Sequence, residues 1–348
     1  MIALFRCAVD WSEELQLREG VCFSRVCRVL CVVTLALSSP PVIAQAGSAP
    51  AYPAKSIRLV VPYPAGAATD WLARALAHKL SENLGHTVVV DNRGGANGAL
   101  AMEFVAKSLP DGYTLTYALP AQFAVNPALY PKLAYDPLRD FEPVMLVART
   151  PLVLIVHPSV PVKSISELIK LAKVKHDYLV LASAGSGSAG HLCLELFKKM
   201  SATQILHVPY KGAAPSLIDL MAGQVQLSFL AWSTSSGFVK AGKLRALGVT
   251  SAKRATALPD LPAIAESLPG YDISNWYGMA GPKGMPKPIV TKLNAEMLRT
   301  LAAPDLRQVF EKEAIESLGS SPEAFGDYLK TELVKWGGLV KSSGLKID

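Results

Sequence analysis

The chain has 348 residues, half of them apolar and under a fifth charged, with a net charge of +7. Disorder is excluded, because so much apolar side chain can bury a large core, and 25 Gly and 25 Pro are too few for a collagen-like or low-complexity chain. The Lys and Arg are scattered, with no run of five and no recognition motif, which argues against nucleic acid and leaves small anions or an anionic surface as partners.

Arg25 and Arg28 precede an apolar run from Val29 to Leu37, and an Ala44-Gln45-Ala46 triplet follows. A positive stretch, a short apolar segment and an A-x-A site read as a secretory signal peptide over 1–46. The run is far short of the ~20 residues that span a bilayer. The stretch ahead of Arg25 is long for a leader and carries Asp10, Glu13, Glu14 and Glu19, so translation is expected to begin nearer Val21. Cys7, Cys22, Cys27 and Cys31 fall in this segment. Cys193 alone remains, so the mature chain is expected to form no internal disulfide.

Ile57–Pro62 reads as a buried parallel strand. A loop over 63–70 follows, then a helix from Trp71 with Leu72, Leu76 and Leu80 on one face and Thr69 or Asp70 as its N-cap. Thr87–Val90 is the next strand, Asn92–Gly98 a second Gly-rich loop, and a helix runs through Leu100 and Phe104. Tyr113–Ala118 is a strand after the Pro110-Asp111-Gly112 turn. Val144–Val147 and Leu152–Val156 read as two strands. Ser164 and Glu167 form a capping box for a helix over Ile165–Lys173. Tyr178–Leu181, Gln204–Val208, Val225–Phe229 and Leu244–Val249 are further strands separated by helices, one of them His191–Met200. Such alternation implies an α/β fold with helices on both faces of parallel sheets. Ala257–Pro288, rich in Pro and Gly, reads as surface connections. Two amphipathic helices, around Val290–Leu301 and Pro322–Val340, close the chain.

The loops at 63–70 and 183–190 follow one logic. Each leaves a buried strand and opens a helix, its small residues allow close backbone approach, and free N–H groups with the helix dipole favour an anion there. Thr69, Ser183, Ser186 and Ser188 add hydroxyl donors, and one such loop on each side would clamp a carboxylate without a buried cation. Gly185-Ser186-Gly187-Ser188-Ala189-Gly190 also matches G-x-G-x-x-G, but the next strand ends His207-Val208-Pro209-Tyr210 without the acid that a dinucleotide ribose requires. No G-x-S-x-G, H-x-H or H-E-x-x-H occurs, so neither a hydrolase triad nor a metal site is expected, and no cofactor is implied. His207 reads as a cleft-lining residue or, more readily, as a satisfied strand-end residue. Lys211 is the one cation within reach of the proposed clamp, and Trp232 and Trp276 read equally well as ligand covers or core.

The segment Val61-Pro62-Tyr63-Pro64-Ala65-Gly66-Ala67-Ala68-Thr69-Asp70 resembles the V-P-F-x-x-G-G-x-x-D opening of the solute-binding proteins of tripartite tricarboxylate transporters, the Bug or TctC-like family. Val89-Val90-Asp91-Asn92-Arg93, Pro110-Asp111-Gly112-Tyr113, Asn126-Pro127-Ala128-Leu129-Tyr130, His207-Val208-Pro209-Tyr210-Lys211-Gly212 and Ala241-Gly242-Lys243-Leu244-Arg245 follow in family order. The resemblance implies a monomeric periplasmic binding protein of type II, not an enzyme. Its two hinged α/β domains, 47–149 plus 252–348 and 150–251, would enclose a cleft. It also implies a small di- or tricarboxylate, acidic amino acid or aromatic acid as ligand and membrane permease subunits as partners. Carried onto this chain, the contacts are Tyr63, Gly66, Ala67, Thr69, Asp70 and the strand-end loop reaching Gln122, with Ser183, Gly185, Ser186, Gly187, Ser188, Tyr210, Lys211 and Trp232 opposite. Ala67 replaces the family's second Gly. Phe229-Leu230-Ala231 replaces its F-D-N, which points to a more apolar carboxylate. Presentation of the ligand to a sensor protein is the alternative to transport; an exported hydrolase or a dinucleotide enzyme fits less well.

Overall fold

The computed structural model describes residues 52–66, 68–175 and 178–343; the leader expected over 1–46 and Ala67 lie outside them. In chain order the elements are β1 (Ile57–Val61), α1 (Ala68–Leu84), β2 (Val88–Asn92), α2 (Ala99–Ala106), β3 (Thr114–Ala118), α3 (Asn126–Leu129), β4 (Phe141–Val156), α4 (Ile165–Val174), β5 (Val180–Ser183), α5 (Ala189–Ser201), β6 (Leu206–Pro209), α6 (Ala213–Met221), β7 (Leu227–Ala231), α7 (Trp232–Lys240), β8 (Arg245–Val249), β9 (Ser274–Pro282), α8 (Lys287–Ala302), α9 (Pro304–Lys312), β10 (Glu316–Ser317) and α10 (Pro322–Ser343).

The strands follow the path β2-β1-β3-β9-β4-β7-β5-β6, with β8 and β10 also pairing β4. β1 pairs β2 and β3 in parallel, as β5 does β6 and β7, whereas β9 and β4 run antiparallel to their neighbours. The sixteen-residue β4 joins the two halves. Phe141 to Pro151 lie along β9, and Leu152 to Val156 lie between β7 and β8. The sequence reads as two strands here because Arg149-Thr150-Pro151 interrupts the apolar run. The chain stays extended because Arg149 meets Glu316 at 2.6 Å and the Thr150 hydroxyl donates to the Ala314 carbonyl at 3.0 Å.

Helices cover both faces of each half, and strand alternation divides the core accordingly. Leu59, Val61 and Tyr117 pack with Leu72, Leu76 and Leu80 of α1 and Leu293 of α8. Their neighbours Val60 and Ala118 face Met102 and Val105 of α2 and Phe325 and Leu329 of α10. In the second half Leu154 and Val156 join Leu192 and Phe197 of α5, while Val153 and Ile155 join Leu217 of α6 and Val249.

Two expectations are corrected. The stretch 257–288 is not only surface connection: it contains β9, buried along its length in the middle of the sheet. Gly278 suits that strand because the Phe325 ring occupies the space that a Cβ would need. Ile264, Leu268, Tyr271 and Ile273, from a stretch grouped with the first domain in the sequence, pack with the core of the second half. In addition, α9 lies between the two closing helices that the sequence suggests. Among the described residues no helix is long and apolar enough to cross a membrane.

Candidate functional site

A cleft lies where the two halves of the sheet meet. Tyr63, Pro64, Ala68 and Thr69 line it from the β1–α1 turn, and Leu119 and Ala121 from the end of β3. Opposite stand Ala184, Ser188, Ala189 and Gly190 from the β5–α5 turn, Gly212 and Ala213 before and in α6, and Phe229 to Ala231 with Thr234 at the β7–α7 junction. Leu152 of β4 and Asn275 and Tyr277 of β9 form its remaining wall.

Four helices therefore begin at this cleft. α1, α5, α6 and α7 each present their N-cap or first-turn residues to it. The first backbone N–H groups of a helix have no intrahelical acceptor, and each N-terminus carries the equivalent of about half a positive charge. In α5 the first backbone bond of the helix runs from Leu192 N to the Ser188 carbonyl. The amides of Ala189 and Gly190 precede it. α6 and α7 have no side-chain cap. The lining contains no Lys, Arg, His, Asp or Glu. Its polar side chains are the hydroxyls of Tyr63, Thr69, Ser188, Thr234 and Tyr277 and the Asn275 amide, set among Leu119, Leu152, Phe229 and Leu230. Such a cleft favours a small anion through backbone dipoles and leaves apolar surface for the anion's carbon body.

Of the site residues expected from sequence, Tyr63, Thr69 and Ser188 line the cleft. Several others build its walls. The Asp70 carboxylate accepts the Gly66 N–H at 3.1 Å and lies 3.0 Å from Arg74. Burial alone would raise its pKa, but Arg74 and the Gly66 amide hold it below the usual carboxylate range. α1 begins at Ala68, so Asp70 reaches back from inside the first turn instead of standing as its N-cap. Gln122 is fully buried and donates to the Asn97 carbonyl at 2.8 Å. Ser183 accepts the Gly185 N–H at 3.1 Å, donates to the Gly185 carbonyl at 3.0 Å and meets His207 Nε2 at 2.7 Å. The Gly187 amide does not face the cleft: it donates to His191 Nδ1 at 3.0 Å. Ser186 is half-buried in the same loop, outside the lining. Tyr210 donates to Asp219 at 2.6 Å, and Lys211 is exposed. Trp232 packs with Leu244 and Leu258 and borders a separate hollow, and Trp276 is fully buried. His207 is the satisfied residue that its strand-end position suggested.

Sequence reasoning placed Tyr210, Lys211 and Trp232 at the starts of α6 and α7 but missed the residues that line the cleft there, Gly212, Ala213 and Thr234, and it missed Asn275 and Tyr277. Gly212 and Ala213 had a signal in Tyr210-Lys211-Gly212, a strand end followed by glycine and helix. Asn275 and Tyr277 had one in the uncharged run between Asp272 and Lys283 with its two adjacent aromatics, a pattern of buried strand.

A family model for the receptor of tripartite tricarboxylate transporters, TctC, matches residues 72–345. The chain belongs to this family. As a TctC-family protein it is a solute-binding receptor and not an enzyme. It is similar to an R. palustris protein solved with adipate, at 39% identity and a TM-score of 0.82, covering 85% of this chain and 99% of that one. It is similar to the periplasmic binding protein BugD at 37% identity and a TM-score of 0.80, covering 85% and 99%. It also resembles MatC from Rhodopseudomonas palustris with bound malate, at 31% identity and a TM-score of 0.78, covering 83% and 100%. The TctC fold of two α/β domains around a ligand cleft is thus the fold of this chain.

Proposed function

We propose that this receptor is exported by its leader, works as a monomer in the periplasm, and captures a small carboxylate for the membrane subunits of a tripartite transporter. The observation that carries the reading is the meeting of four helix N-termini at a cleft whose lining has no charged side chain. A carboxylate there takes N–H donors from Ala189, Gly190 and Ala213 and hydroxyls from Thr69, Ser188 and Thr234. Leu119, Leu152, Phe229 and Leu230 then receive the rest of the molecule, so the favoured guest is a carboxylate with an apolar body and no amino group. The ligands held by two relatives, adipate and malate, are carboxylates and support this class. The two domains meet through β4 near Thr150 and again between Ile273 and Ser274, and closure about these crossings buries the anion only when it is present.

A thermal-shift panel tests the proposal. It would contain adipate, malate and benzoate, with organic cations and neutral sugars as controls. A ligand that binds only the native state raises the melting temperature, so carboxylates should raise it and the controls should not. A shift with the cations and none with any carboxylate would sink the reading.

A further inference from the structure

Behind the β5–α5 loop, outside the cleft lining, two imidazoles are packed face to face. The rings of His191 on α5 and His207 on β6 lie 3.6 Å apart and 9° from parallel. Each holds one end of the loop. His191 Nδ1 accepts the Gly187 N–H, and His207 Nε2 meets the Ser183 hydroxyl that binds both polar groups of Gly185. Accepting at Nδ1 places the neutral His191 proton on Nε2, which faces Glu195 Oε1 at 3.7 Å. Glu195 is also held by Lys198 at 2.9 Å. On the side of α5 packed against α10, the ionisable groups are the Cys193 thiol, the Tyr271 phenol that donates to the Cys193 carbonyl at 2.8 Å, and the Lys335 ammonium that acts on Cys193.

The same loop touches the other half of the molecule. Gly187 has φ of 76°, and a Cβ there would lie 2.5 Å from Leu129 Cδ1 and 3.0 Å from Asn97 Nδ2. Asn97 in turn accepts from Tyr63 of the cleft at 3.5 Å. Cleft, Asn97, Gly187, His191 and His207 thus form one contiguous chain of contacts across the two halves.

We infer that His191 is a positioning residue for the closed cleft, holding Gly187 in the shape that fits against Asn97 and Leu129 only while its ring is neutral, so that acid loosens the loop. Protonating His191 turns Nδ1 from acceptor to donor and sets it against the Gly187 N–H. The His207 ring, which burial and the facing His191 push down to about 3, stays neutral, with its Nε2 engaged by the Ser183 hydroxyl.

The inference rests on the cleft being the ligand site, but its test uses the ligand-free chain, so it fails or stands whether or not any carboxylate binds. Long-range ¹H–¹⁵N spectra of the ¹⁵N-histidine-labelled protein should show His191 with an unprotonated Nδ1 at pH 7.5. Hydrogen exchange at the Gly187 amide, corrected for the intrinsic rate, should lose at least about tenfold in protection between pH 7.5 and 5.5, the scale of one buried hydrogen bond. His191→Asn keeps a non-titrating acceptor near Nδ1 and should make that protection independent of pH. His191→Phe keeps an aromatic ring but no acceptor and should lose protection at both pH values. Unchanged Gly187 protection in His191→Phe, a flat profile in the wild type, or Nδ1 protonated at pH 7.5 would overturn the inference.

Discussion

The indole N–H of Trp276, near the start of β9, donates to Glu332 Oε2 of α10 at 2.7 Å. Trp336, one turn further along α10, donates to the same oxygen. All three side chains are buried, and the Tyr328 hydroxyl also hydrogen-bonds the Glu332 carboxylate. The pair of bonds fixes α10 against the strand nearest the crossing between the halves. Glu332→Ala removes the acceptor and strands two buried donors, an expected loss of about 2–4 kcal/mol in urea unfolding. Glu332→Gln retains an acceptor and should cost less. Equal unfolding midpoints for wild type and Glu332→Ala would contradict this account.

Two glycines with positive φ separate backbone strain from closure. Gly66 has φ of 98° with open space where a Cβ would stand, whereas the Gly187 site is filled by Leu129 and Asn97. Gly66→Ala should cost about 1 kcal/mol of stability through strain alone. Gly187→Ala should instead lower affinity at least about tenfold for whichever carboxylate raises the melting temperature, because a clash across the cleft opposes closure. Calorimetric titration of both variants checks the contrast, and equal affinities would remove Gly187 from the closure contact.

The stacked histidine pair sets an acid limit on stability. His207 is held near 3 in the folded chain, first by burial and then by His191, while an unfolded histidine titrates near 6.5. The unfolded state therefore binds the extra proton between these values. Stability is full above about pH 6.5, falls as the pH drops toward 3, and this contribution levels off below. Asp70 and Glu195, both held below the usual carboxylate range, add their losses only at lower pH, as they protonate. Unfolding midpoints at pH 7.5, 6.5, 5.5 and 4.5 should decline from the second value onward. In His207→Phe the first part of that decline should vanish.

Charge is distributed unevenly over the chain. Between Leu152 and Ile273 the sequence has twelve Lys and Arg against seven Asp and Glu, which accounts for five of the seven net positive charges. That half supplies three of the four helix starts at the cleft, so an anion approaches a positive field before it meets the backbone. Stopped-flow association rates for a bound carboxylate should fall several-fold, on the order of three- to tenfold, between 0.01 and 0.2 M salt, with little change in the dissociation rate. A salt effect confined to dissociation would place the attraction in the cleft and not in the long-range field.

Local chemistry was the part of this molecule legible from sequence. The strand–glycine–helix turns at 63–70 and 183–190 and the buried face of α1 stand where spacing and composition put them, because each is decided within about ten residues. The exceptions needed information from distant parts of the chain. β9 carries Gly278 and Gly281 and ends in Pro282, residues that signal turns, yet it is central because Phe325 and Met285 fill the space that those glycines leave. The Gly187 amide, a natural ligand donor on the loop's own evidence, is taken by a histidine four residues on. The starts of α6 and α7 became cleft walls only once β4 had brought both halves of the sheet together.

α10 belongs to two cores at once. Phe325 and Leu329 near its beginning pack with the first half, and Trp336 and Val340 near its end pack with the second. The chain's last helix is thus a splint laid across the joint. A shortened chain ending before Trp336 would keep every cleft-lining residue and still lose the brace that aligns them. Residues that contribute no wall to the cleft thereby tie together the two bodies that form it.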